Sequence, residues 1–117
     1  SSGLGFAPLA ATPSYDASKA AVHMLSESLR LQLAGTSVKV TEVVPPSVRT
    51  GLLPGQETAE VAMPLDEFVA EVMALLEAEP DAKEILVERV KFLRYGEARG
   101  DYDHVVEALN ASDPHGK

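Results

Sequence analysis

In the stretch SYDASKAA, residues 14–21, a tyrosine precedes a lysine by one helical turn. On a helix, Tyr15 and Lys19 lie about 40° apart around the axis, so the two side chains reach one another or a shared ligand. An ammonium beside a phenol stabilises the phenolate and lowers its pKa from about 10 towards the range of a working general acid or base. The pair is a candidate proton-transfer site, although the same spacing is common on plain solvent-facing helices. Other polar residues offer less. His23, His104 and His115 lack the mutual spacing and companion ligands of a zinc site, so they read as surface residues and no metal is expected. Glu57, Glu60, Asp66 and Glu67 read as a solvated helix start, and Arg49 as a surface arginine.

A helix must present the Tyr15/Lys19 pair, and the composition supplies one. Residues 15–34 are dominated by Ala, Leu, Glu, Arg and Gln, and Gly35 stands where a C-cap glycine would. Ahead of it, SSGLGFAPLAATP has the small, turn-forming composition of a loop. On a helical projection, Ala21, Val22, Leu25, Leu29 and Leu33 make one apolar stripe. Ala17, Ala20, Met24 and Leu31 make a second beside it. Together they span roughly 220° of the helix, too wide for one sheet face. The expectation is one stripe on the chain's own sheet and the other on a partner helix.

The β-branched run SVKVTEVVPPS then predicts a buried strand over residues 38–44, stopped by two prolines. Residues 48–62 are broken by Gly51, Pro54 and Gly55 and read as a loop. Leu65, Phe68, Val69, Val72, Met73 and Leu76 recur at helical intervals, with Pro64 at the first helical position and Asp66 and Glu67 facing the positive end of the dipole. That helix stops before Pro80. A second short strand is expected over residues 84–88, and YDHVVEALN as a terminal helix. Phe92, Leu93, Tyr95 and Tyr102 read as its packed cap. The domain is expected over residues 1–110, with a disordered tail over 111–117.

Bulk properties narrow the function. The chain has 117 residues and a formal charge of −8, with no basic cluster to bind nucleic acid. It has no cysteine, hence no disulfide framework, and its apolar runs fall short of a bilayer span. A soluble cytoplasmic protein is the expectation. The first residue is not methionine, which reads as a processed or trimmed start.

Three elements in order resemble the short-chain dehydrogenase/reductase family. Its signature is Tyr-x-x-x-Lys at the start of a long helix, matched by Tyr15 and Lys19. A serine lies thirteen residues before that tyrosine, matched by Ser2. A Pro-Gly-x-x-x-Thr turn follows the next strand, and PPSVRT supplies Pro45, Val48 and Thr50, with Pro46 in place of the glycine. The similarity covers essentially the whole chain. It implies an α/β fold, the C-terminal half of a doubly wound Rossmann-like parallel sheet ordered helix, strand, helix, strand, helix. It also implies Tyr15 as proton donor or acceptor to a small-molecule carbonyl or alcohol, Lys19 as the group that lowers its pKa and binds the nicotinamide ribose, and Ser2 as the group that orients the substrate oxygen. Pro45, Val48 and Thr50 would flank the nicotinamide of NAD or NADP if a nucleotide binds.

The family's glycine-rich dinucleotide turn, which places pyrophosphate at a helix N-terminus, is absent from these residues. The expectation is therefore an oxidoreductase by ancestry that does not transfer hydride alone. A two-strand sheet exposes edges and apolar faces, so a homodimer or homotetramer is expected through residues 15–34 and 64–90. Two alternatives stand beside this: a cofactor-independent proton-transfer enzyme, such as an isomerase, lyase or cyclase, and a non-catalytic oligomerisation module.

Overall fold

The computed structural model describes residues 1–52, 55–56 and 60–112. Helix α1 spans Pro13–Gln32, β1 is Glu42–Val43, α2 is Leu65–Ala78 and β2 is Glu84–Ile85. Three further helices follow, α3 at Lys91–Arg94, α4 at Gly96–Arg99 and α5 at Tyr102–Ala111. Short 3-10 turns occupy Gly3–Gly5 and Glu88–Val90. The α/β class and the parallel sheet expected from the sequence are both present: Glu42 pairs with Glu84 and Val43 with Ile85, in parallel register.

Helix α1 begins two residues before the expected start because Pro13, with its preset φ, sits at the first helical position. Helix α2 follows its apolar periodicity closely. Both strands are shorter than expected, and the cause lies in the neighbour. Extended preference makes a strand only where a partner can pair. Around Pro80 the chain turns, with Ala82 N–H donating to Glu79 O, and among the described residues segment 81–83 meets residues 39–41 through the Lys39 and Thr41 side chains rather than through a backbone ladder. Val38 is 56% exposed accordingly. The other edge of β1 is occupied: Ser1 N donates to Val43 O at 3.2 Å and Gly3 N to Pro45 O at 3.0 Å. Residues 1–3 thus run beside β1 as an extended third segment, and the 3-10 turns and helices α3 and α4 fill stretches that composition alone read as loop or cap.

Val44, Met63, Val87 and Val90 form the core, with Phe6, Phe68, Val72 and Leu75 packed around it. Residues 48–62 are tied down at both described ends. Arg49 N donates to Met63 O and Met63 N to Ser47 O, a parallel bridge between Val48 and Met63, and Ala62 is fully buried. Leu53, Pro54, Glu57, Thr58, Ala59 and the tail from residue 113 fall outside the described residues.

The larger correction concerns which side of α1 packs. Neither apolar stripe rests on the sheet: Val22, Met24, Leu25, Leu29 and Leu31 are all exposed, Leu31 at 80%. The inward face carries Asp16, His23 and Arg30 instead. Their polar groups find partners on the main chain and on strand carboxylates, which outweighs the apolar pattern that a projection reads. No helix among the described residues is long and apolar enough to cross a membrane.

Candidate functional site

The site is built where the first turn of α1 meets the 3-10 turn at Gly3–Gly5. Lys19 Nζ lies 5.3 Å from the centroid of the Tyr15 ring, so the ammonium sits over the phenol's π face. The Tyr15 side is open, with that residue 39% exposed. Ser2 is buried at 8% and begins the 3-10 turn, where its Oγ accepts from Leu4 N at 3.2 Å and keeps its own proton to donate.

Two glycines set the distance between Ser2 and the helix. A Cβ at Gly5 would stand 3.0 Å from backbone atoms of Lys19 and Ala20, so only glycine lets the turn lie directly on α1 at Lys19. A Cβ at Gly3 would meet Leu93 and Val90 side chains at 2.8 and 2.9 Å, so the turn is wedged between α1 and α3. Gly3 also donates to Pro45 O, which joins the Ser2 turn to the start of the 45–50 turn.

Loop 8–12, between Ser2 and Tyr15, is clamped from two directions. Asp16 is buried at 7%; its carboxylate accepts from Leu9 N and Thr12 Oγ1, both at 2.9 Å. From α5, Asn110 accepts from Ala10 N at 2.8 Å and donates to Pro8 O at 3.0 Å. Sequence reasoning missed both residues. Asp16 had a faint signal as an acidic residue in a helix's first turn, but Asn110 acts across a hundred positions and had none.

In the 45–50 turn, Val48 is buried through its bridge to Met63, and Gln56 Nε2 donates to its carbonyl at 2.6 Å. Thr50 Oγ1 accepts from Leu52 N at 3.3 Å, and the hydroxyl proton remains for another acceptor. The structure therefore seats the Ser2 turn on the helix of Tyr15 and Lys19 and bonds it through Gly3 to Pro45, whereas Val48 serves the packing of the 45–50 turn.

One turn beyond Lys19, His23 departs from the surface role expected of it. Its side chain is 15% exposed, its Nδ1 lies 2.7 Å from Glu42 Oε1, and the Phe6 ring stands edge-on to it with centroids 4.7 Å apart. Arg94 covers the other side of Phe6 at 4.2 Å and forks onto Glu84, Nε to Oε1 at 2.7 Å and the terminal nitrogen to Oε2 at 3.0 Å. Those charge-assisted bonds hold the Glu84 carboxyl below its usual range and raise Arg94 above its own. Arg30 closes the seam by donating to Val40 O, two residues ahead of β1, and to Lys83 O, one residue ahead of β2.

Comparison with known proteins places this geometry in context. A family model described as short chain dehydrogenase matches residues 1–61, over half of the chain. The chain is 40% identical over 118 residues to the uncharacterized oxidoreductase DltE of Bacillus subtilis (strain 168), an alignment covering 96% of this chain and 45% of that protein. It is 41% identical over 56 residues to the uncharacterized oxidoreductase SERP2049 of Staphylococcus epidermidis, covering 48% of this chain and 24% of the relative. The chain thus spans less than half the length of the curated relatives it matches. No solved structure gives a significant match.

Proposed function

The chain belongs to the short-chain dehydrogenase family, and from that premise we propose that it carries the acid-base part of a carbonyl or alcohol oxidoreductase site. Tyr15 exchanges the proton with the substrate oxygen: its phenol donates as a carbonyl becomes an alcohol, and its phenolate accepts in the reverse direction. Lys19 stabilises the phenolate, and the Ser2 hydroxyl orients the substrate oxygen. The single observation that carries this reading is the Lys19 ammonium over the ring of a half-open Tyr15, with the Ser2 turn seated on the same helix through Gly5.

The residues present fit the nicotinamide end of a dinucleotide. Lys19 and the Thr50 hydroxyl retain donors, and the Pro45 turn lies beside Ser2. These would hold NAD or NADP, which when bound supplies or accepts the hydride. The glycine-rich turn that grips pyrophosphate is not in this sequence, so hydride transfer belongs to an assembly that completes the nucleotide site rather than to these residues alone. The exposed apolar residues of α1, with Leu65, Val69 and Met73 of α2, support a homo-oligomer joined through these two helices.

The test is a titration of the 117-residue protein with NADH and NADPH by calorimetry, with its mass read by light scattering. Micromolar binding by an oligomer supports the oxidoreductase reading, and Tyr15→Phe should then abolish turnover while leaving nucleotide affinity within about threefold. A well-folded oligomer without nucleotide affinity excludes hydride transfer by this chain alone and turns the search to cofactor-free proton transfer or a structural role. Turnover that survives Tyr15→Phe removes the phenol from the mechanism.

A further inference from the structure

Beneath α1, three residues that sequence keeps far apart converge: His23 from the helix, Glu42 from β1 and Glu84 from β2. One ligand atom from each, an imidazole nitrogen and two carboxylate oxygens, lies within 4.8 Å of the others. We propose that this trio binds a divalent transition-metal ion of the Zn2+ class, which fastens the helix bearing Tyr15 and Lys19 to both strands. The site is separate from the proton-transfer residues and does not depend on their assignment.

The strongest observation is an oxygen without a partner. The Glu42 side chain is 1% exposed, and its Oε2 is buried with no hydrogen-bond donor, while Oε1 faces His23. Buried acceptors in folded proteins are nearly always satisfied, and a buried carboxylate oxygen demands it more than most. A proton on His23 satisfies Oε1 and leaves Oε2 as it was. A cation seated between the three side chains reaches both oxygens.

The surroundings fit a metal ligand set. His23 Nε2 lies 3.7 Å from Glu27 Oε2, beyond hydrogen-bond distance, so a carboxylate neighbours the outer ring nitrogen while Nδ1 faces Glu42. The 2.7 Å contact of His23 Nδ1 with Glu42 Oε1 is one that either a ring proton or a shared cation bridges, and of the two the cation also serves Glu42 Oε2. Arg94 occupies one lone-pair direction on each Glu84 oxygen and leaves the others to coordinate. Imidazole with two carboxylates suits Zn2+, Mn2+ or Co2+. Donors around a tetrahedral ion stand about 3.3 Å apart, so shifts of roughly half an ångström to one ångström in these side chains complete the geometry. Phe6, edge-on to His23, excludes water from one side.

The experiment titrates Zn2+ into the 117-residue protein by calorimetry and records the visible spectrum with Co2+. One ion per chain is expected, with intense d–d absorption of a low-coordinate site and a melting temperature raised by several degrees. Glu42→Gln and His23→Gln should each weaken binding at least tenfold and remove the thermal shift; His104→Gln should change neither. Circular dichroism reports whether each variant folds, and Glu84→Gln replaces any that does not. Absence of binding by the folded wild type overturns the proposal. So does binding unchanged by the His23 and Glu42 substitutions, which places the ion elsewhere. NMR showing His23 still a protonated imidazolium under excess Zn2+ leaves a proton-only pair and likewise overturns it.

Discussion

The two faces of α1 reverse the arrangement common to amphipathic helices. The face on the sheet is polar, with Asp16, His23 and Arg30 engaged by loop, strand carboxylate and carbonyls just ahead of the strands. The face away from it is apolar, with Met24, Leu25 and Leu31 exposed. The difference teaches that this helix is oriented by directional bonds rather than by its hydrophobic stripe, and that the stripe is left for another surface. Directional bonds fix a helix's rotation and axial position, whereas apolar burial alone tolerates sliding. That precision bears directly on the proposed site, whose Tyr15 and Lys19 sit on this helix and whose Ser2 turn rests on it.

The sharpest way to break the comparison is at Glu42. Glu42→Ala strands His23 in a mostly buried setting and should cost about 2–4 kcal/mol in urea unfolding; the double replacement His23→Leu with Glu42→Leu should recover most of it. Failure of the double variant to recover would mean that packing, not charge, positions the helix. Next is Gly5→Ala, whose Cβ meets backbone that cannot rotate away. It should cost about 1–3 kcal/mol and, by lifting the Ser2 turn from α1, reduce any turnover more than Ser18→Ala does.

Arg94→Met tests the outer end of the seam. Glu84's carboxyl is depressed in the fold, chiefly by its hydrogen bond to Arg94. A depressed carboxylate lends stability that is fully present above its unfolded value and is lost as pH falls through the folded one. Wild-type unfolding free energy should therefore fall below about pH 4.5, its ordinary value, and Arg94→Met should flatten that acid slope. With both side chains 22% exposed, the loss at neutral pH should be about 1 kcal/mol. The smallest effect belongs to the outer face. Met24→Gln and Leu31→Gln should change the stability of a dilute single chain by no more than about 0.5 kcal/mol. The mass in light scattering should nevertheless drop, and an unchanged oligomer would move the interface off α1.

Local patterns made much of the fold legible. The periodicity of α2 and the start of α5 followed apolar spacing, and the parallel pairing of β1 with β2 follows from a helix set between two strands. The Tyr15/Lys19 pair was legible because both residues lie on one turn of one helix. The strands' true lengths were not, because a ladder depends on what lies alongside. His23 was misread because its environment comes from Glu42, nineteen positions on, and Glu84, forty-two further.

By itself the sequence determined the family, the order of helix and strand, and the chemistry available at Tyr15, Lys19 and Ser2, since each rests on residue type and short spacing. Only the tertiary structure decided which face of α1 turns inward, that Asp16 and Asn110 clamp the loop between Ser2 and Tyr15, and that His23, Glu42, Glu84 and Arg94 share one seam. The physical reason is range. Helical preference and spacing act within a turn or two, whereas the partner of a buried charge is chosen only when distant segments have packed and water has gone.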